Sequence, residues 1–184
     1  MKPGEAVRAL LDLLAAKGIP HMVTGGLVAN AYGIVRSTQD ADIVVQVEDR
    51  AFDDFVRALP PELQIDAQIS FEMITGSRRQ VVRVHGTPFI IELFYLGSDP
   101  HHQHRFSRRV RQYLPDLESE AWISTAEDLV IQKIRWNRDK DRDDVRNILA
   151  VQSQLLDFPY IEKWCDCHGT RPRLEELRRS IPPL

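Results

Sequence analysis

Cysteine is scarce in this 184-residue sequence, which contains only Cys165 and Cys167. One intervening residue is an awkward spacing for a disulfide, which argues against a stapled secreted scaffold and for a reducing, cytosolic setting. No apolar run approaches the length needed to span a bilayer. The N-terminal stretch Ala6 to Ala16 is interrupted by Arg8 and Asp12 and so lacks the apolar segment of a signal peptide, and neither export nor membrane insertion is expected. Charge of one sign is not in excess either: 24 basic and 27 acidic residues give a formal net charge of -3. A nucleic-acid partner would therefore have to be attracted by a local patch. Internal repeats and low-complexity tracts are lacking. With 43% apolar and 28% charged residues, the chain has the composition of one folded domain, or of one core with a small helical appendage.

The apolar pattern divides this core into elements. Val7, Leu10, Leu11, Leu13 and Leu14 recur at helical spacing up to a stop at Gly18. His21 to Thr24 is a short strand that runs into Gly25-Gly26, and Leu27 to Tyr32 follows as a helix, giving strand, tight turn, helix. A β-branched run starts inside Asp40-Ala41-Asp42 and continues through Val47, and Glu48 to Leu59 returns to helical spacing before Pro60-Pro61. Residues 69–75, 79–85 and 88–96 read as short strands of a meander separated by glycine turns. From Thr125 the pattern is helical, with Ser124 or Thr125 as N-cap. The expected fold is α/β (α+β), a mixed sheet flanked by helices, with a core at 1–118 and a helical C-terminal portion at 119–184 packed on it.

The chemistry is concentrated in Gly25-Gly26 and in Asp40-Ala41-Asp42 thirteen residues later. Carboxylates at i and i+2 on an extended segment point to the same side, with α-carbons about 6–7 Å apart, and can chelate one hard cation. Such a pair suits Mg²⁺ or Mn²⁺, whose shell is completed by substrate phosphates, so an NTP is the natural partner. The glycine pair permits positive φ and lets backbone N–H groups approach a phosphate at the start of the following helix. Glu92 is a lone acid in the apolar run Phe89 to Phe94; beside the first two it would complete the metal set and help deprotonate an attacking hydroxyl. Arg36 and Thr38 could contact phosphate or shape the turn. Lys133, between Ile131 and Ile134 on a helix that must pack, could point into a phosphate-binding cleft.

Gly25-Gly26, Ala29, Gly33, Arg36-Ser37-Thr38 and Asp40-Ala41-Asp42-Ile43-Val44-Val45 together resemble the motif of polymerase-β-type nucleotidyltransferases. More narrowly, the chain resembles their AbiEii-type toxin branch, because Asp128-Leu129, Lys133, Arg138, Lys140-Asp141 and Asp144-Val145 are similar to that branch's downstream helical motif. Two departures stand out: the family often has Gly-Ser where Gly25-Gly26 stands, and aspartate where Glu92 stands. The resemblance implies a metal-dependent nucleotidyltransferase with Asp40, Asp42 and Glu92 as metal-binding acids, and with Lys133 and Asp141 or Asp144 serving the nucleotide. It further implies an RNA 3′ end or a protein as acceptor, and a toxin-antitoxin or phage-defence role with a cognate antitoxin-like partner. A small-molecule acceptor such as an antibiotic also belongs to the wider family's range. A catalytically silent module that binds nucleotide or a partner in the same cleft is the alternative.

Each signal has a plainer counterpart. Asp40 and Asp42 could be a solvated strand entry, and Glu92 an edge-strand residue or an ion-pair partner. Lys133, Lys140, Asp141 and Asp144 sit among alternating charges that usually form a solvated, mutually paired face. His101, His102 and His104, followed by Arg105, Arg108, Arg109 and Arg111, read as an exposed loop-helix whose arginines could meet RNA phosphates. Cys165, Cys167 and His168 lack the second half of a zinc site and read as helix-end residues. Trp122, Trp136 and Trp164 read as core or helix-contact aromatics.

Overall fold

The computed structural model describes residues 1–181. Helix α1 (Pro3–Ala16) starts with proline in its first turn and Glu5 accepting from the Lys2 N–H, and it buries Ala6, Val7, Leu10, Leu11 and Leu14. It stops at Gly18, whose φ of 65° is left-handed. Strand β1 (His21–Thr24) passes directly into α2 (Gly25–Tyr32), and β2 (Asp40–Val45) follows. Then come α3 (Asp49–Arg57), β3 (Leu63–Ile65), β4 (Ser70–Phe71), β5 (Arg78–Val84), β6 (Ile90–Tyr95) and α4 (Pro100–Ser107). A hairpin of β7 (Val110–Leu114) and β8 (Ser119–Ile123) leads into α5 (Ala126–Trp136), α6 (Asp139–Gln152), α7 (Phe158–Cys167) and α8 (Arg171–Arg179).

The strands form one mixed sheet in the order β3-β5-β6-β2-β1-β8-β7, with β4 paired to β5. β2 is antiparallel to β1 and parallel to β6. Alternation along β2 divides its side chains between the two faces. Ala41, Ile43 and Val45 join the main core with α1 and α2, while Val44 packs with Met22, Phe94 and Phe106 of α4 in a smaller cluster on the other face. Asp40 and Asp42 share that second face with Val44, so the sequence buries one side of β2 in oil and offers acids on the other.

Several sequence expectations need correction. The strand expected at 69–75 is limited to Ser70–Phe71, because the Glu72 carboxylate accepts from the N–H groups of Ile74 and Thr75 and folds that segment into a turn. The expected boundary at residue 118 falls in the turn of the β7–β8 hairpin. Residues 119–123 are not helical but form a strand that pairs in parallel with β1, and helix begins at Ala126. Positions 182–184 of the expected helical portion lie outside the described residues.

The stretch expected as an exposed loop-helix is α4, whose Asp99 cap accepts from the His102 N–H. It buries His101, His102 and Arg105, and α5 supplies polar partners to the two histidines, whereas Nε and Nη1 of Arg105 have no hydrogen-bond partner among the described residues. His101 meets Asp128 at 3.1 Å and His102 meets Gln132 at 2.9 Å. The other arginines are engaged locally: Arg108 pairs with Asp128 and lies over Tyr160, and Arg109 and Arg111 lie over Trp122. Trp122, expected in the core, is partly exposed on the hairpin, because its neighbours Ala121 and Ile123 take the inward positions. Cys165 is buried and Cys167 exposed at the end of α7. Among the described residues no helix is long and apolar enough to cross a membrane.

Candidate active site

Gly25 is where the candidate site is built. It stands at the β1–α2 junction with φ 69°, a conformation that side chains resist. Thr24 pairs with Asp42 across the β1–β2 ladder, and a Cβ on Gly25 would overlap the Asp42 carboxylate. A Cβ on Gly26 would press at 2.8 Å on the Thr38 hydroxyl. Both glycines therefore let the start of α2 come close to the acids. On the other side, the parallel β2–β6 register sets Asp42 beside Glu92. Asp40, Asp42 and Glu92 line one open cleft of about 370 Å³, together with Arg79, Trp136, Arg138 and Lys140.

Three acids on one face repel one another. Burial, followed by the charges of Asp40 and Glu92, pushes the Asp42 carboxyl up to about 7, against the partial relief of Lys133 and Lys140. Its neighbours are held by protein donors. Thr38 Oγ1 donates to Asp40 Oδ1 at 2.8 Å, and Lys140 Nζ stands 3.8 Å from Asp40 Oδ2. Arg79 Nη1 donates to Glu92 Oε1 at 2.8 Å.

The oxygen donors at the cleft are of the kind that a divalent cation takes. Asp40 and Asp42 are hard oxygen donors two residues apart on one face of β2. The pair thus suits a partial ligand set that phosphate oxygens would complete. Among the described residues no group of three His, Cys, Asp or Glu is arranged to hold a metal ion, and the pairing of Glu92 with Arg79 keeps the third acid engaged elsewhere.

Arg36, Lys133, Asp141 and Asp144, expected at the nucleotide, are brought together in a different arrangement. Lys133 is buried on the inner face of α5, where its ammonium meets Asp144 at 2.7 Å and Asp141 at 3.4 Å. Arg36 reaches the same Asp144 with Nε at 2.7 Å and Nη2 at 2.8 Å, and Arg138 reaches Asp141 at 2.6 Å. A buried ammonium must have carboxylates around it, and both of these are supplied by α6. The four residues form a clamp between the loop before β2 and the α5–α6 pair. None of them lines the cleft. Thr38 serves Asp40 from behind.

The cations at the cleft are Arg79, Arg138 and Lys140. Sequence reading passed over Arg79, whose signal was the β5–β6 hairpin register: with Val81 opposite Glu92, Arg79 is two positions along the same face. Trp136, expected as a helix contact, lines the cleft at the end of α5 with the Arg138 guanidinium 4.9 Å from its ring centroid.

No protein-family model matches the sequence, and no curated protein matches it. Solved structures do match. ANT(2'')-Ia, an antibiotic-resistance factor, superposes with a TM-score of 0.60 at 11% identity, covering 96% of this chain and 96% of its own. The chain has a nucleotidyltransferase fold. ANT(2'')-Ia in complex with adenylyl-2''-tobramycin aligns with a TM-score of 0.57 at 12% identity, over 92% of this chain and 98% of that one. An antigenic nucleotidyltransferase-like protein from Paracoccidioides brasiliensis aligns with a TM-score of 0.54 at 15% identity, over 98% and 92%. At these identities the likeness is one of fold.

Proposed function

We propose that the chain is a divalent-metal-dependent nucleotidyltransferase that moves a nucleoside monophosphate from an NTP to an acceptor hydroxyl. The observation that carries this reading is the convergence of Asp40, Asp42 and Glu92 on one cleft beside a glycine-pair helix start, in a chain with this fold. Asp40 and Asp42 would hold Mg²⁺ or Mn²⁺, which supplies Lewis-acid polarisation of the phosphoryl group when bound. The Gly25-Gly26 turn admits the triphosphate to the N–H groups at the start of α2. Lys140 and Arg138, half-exposed at the cleft, balance phosphate charge there. The acceptor oxygen attacks the α-phosphorus. The new O–P bond forms as the bond to the bridging oxygen breaks, pyrophosphate leaves with that electron pair, and the hydroxyl proton passes to Glu92.

The motif resemblance of residues 25–45 and 128–145 to the AbiEii-type branch supports an RNA 3′ end or a protein hydroxyl as acceptor. It also supports a toxin-antitoxin or defence role with an antitoxin-like partner. The test is a thermal-shift panel of each NTP with and without Mg²⁺ or Mn²⁺, on wild type and on Asp40→Ala/Asp42→Ala, followed by transfer of α-labelled NTP. A metal-dependent shift that the double variant loses, with label incorporated into an acceptor, is expected. A shift without incorporation into any acceptor would reassign the chain as a silent nucleotide-binding module, and the absence of any shift would overturn the cleft assignment.

A further inference from the structure

The cation that engages the third acid comes from the protein itself. Arg79 stands on β5 two residues from Val81, the position opposite Glu92, and its Nη1 donates to Glu92 Oε1 at 2.8 Å. Its Nε donates to Ser70 Oγ at 3.0 Å, which ties the guanidinium to the short strand β4. The Arg79 side chain is 36% exposed and the Glu92 side chain 15%, so the arginine is the wetter partner, and both line the cleft. Among the described residues, Arg79 Nη2 has no hydrogen-bond acceptor in the protein.

Besides the three acids and Arg79, the charged residues lining the cleft are Arg138, Lys140 and Glu72. Arg138 and Lys140 face it with side chains about half-exposed. The other carboxylate in the lining, Glu72, is consumed by the turn it caps, accepting from the Ile74 N–H, the Thr75 N–H and the Thr75 hydroxyl. Beyond the three acids the wall has no carboxylate without protein donors of its own. It has instead a guanidinium fork of the shape that binds a phosphate through two parallel hydrogen bonds. Phe71, Met73 and Ile74 form an exposed apolar shelf at the same cleft, with Met73 96% exposed.

Resting on the nucleotidyl-transfer reading, the geometry points to Arg79 as a specificity-determining residue that recognises a phosphate carried by the acceptor. In the absence of that phosphate Arg79 neutralises Glu92 and holds one of its oxygens. When the acceptor phosphate takes the guanidinium, Glu92 is released to face the acceptor hydroxyl, so the third acid becomes fully available only with a suitable acceptor in place. The phosphate is either the diester of a nucleic-acid end or the monoester of a small phosphorylated hydroxyl compound.

The test is calorimetric binding to wild type, Arg79→Gln and Arg79→Lys, with the donor site filled by a non-hydrolysable NTP analogue and Mg²⁺. Four probes are compared: a short oligoribonucleotide with a free 3′-hydroxyl, ribose 5-phosphate, ribose and tobramycin. Wild type is expected to bind one of the two phosphate-bearing probes at least about tenfold more tightly than ribose, and which one identifies the phosphate source. The preference should fall to near unity in Arg79→Gln and be partly kept in Arg79→Lys. An unchanged preference in Arg79→Gln, or tighter binding of tobramycin than of either phosphate, would overturn the inference. If the NTP analogue gives no thermal shift, the nucleotidyl-transfer reading fails on its own; the same titrations on the protein without the analogue still decide whether Arg79 reads phosphate. Circular dichroism of the variants guards against misfolding.

Discussion

Two charged clusters lie within a few side chains of each other and are built on opposite plans. In the clamp, Lys133 and Arg36 alternate with Asp144 and Asp141, and every buried charge faces an opposite one at 2.7 to 3.4 Å. At the cleft, three carboxylates share one sheet face, and burial, followed by the charges of Asp40 and Glu92, pushes the Asp42 carboxyl up to about 7. The clamp holds loop and helices together through paired charges, while at the cleft Arg79 and Lys140 meet Glu92 and Asp40 and leave Asp42 between two like charges.

The sharpest way to break this contrast is to neutralise one residue in each cluster. Asp42→Asn should abolish metal-dependent transfer, by at least about 10³-fold, while leaving thermal stability without added metal unchanged or raised, since it removes like-charge repulsion. Lys133→Ala should do the reverse, costing about 3–5 kcal/mol in denaturant unfolding because Asp141 and Asp144 lose a buried partner. If Lys133→Ala left stability intact and only weakened nucleotide binding, the distinction between the clusters would collapse.

Gly25→Ala connects fold and site. A left-handed alanine overlapping the Asp42 carboxylate should cost about 1–3 kcal/mol and displace the acid, so that stability and metal-dependent nucleotide binding fall together.

A smaller effect concerns acid sensitivity. Burial raises the Asp128 carboxyl, but the hydrogen bonds from His101, Tyr160 and Thr125 outweigh it and hold the group down at about 2, below its ordinary value of 3.8. A depressed carboxylate adds stability that is present above the unfolded value and is lost as pH falls from about 4 toward 2. Urea unfolding across that window should show wild type losing stability faster than Asp128→Asn, and parallel curves would remove Asp128 from the account.

Much of the fold was legible because its elements are local. Strand β1, the start of β2 and the onset of helix after Thr125 follow from β-branching, glycine and capping, which act within a few residues. The β7–β8 hairpin was not legible: Arg111, Gln112, Glu118 and Glu120 mask its alternation, and it becomes a strand pair only because β8 finds the edge of β1. Burial of His101 and His102 was equally hidden, since these polar side chains enter the interior where a distant helix supplies Asp128 and Gln132.

For the site, the sequence by itself determined the acids and the glycines. Asp40 and Asp42 share a face because a strand repeats every two residues, and Gly25 is required wherever a chain must turn with positive φ beside a carboxylate. Which cations meet those acids was decided by tertiary structure alone. A lysine or arginine reaches its partner through a long side chain across strands and helices far apart in sequence, so only the packed chain commits Lys133 to the clamp and brings Arg79, Arg138 and Lys140 to the cleft.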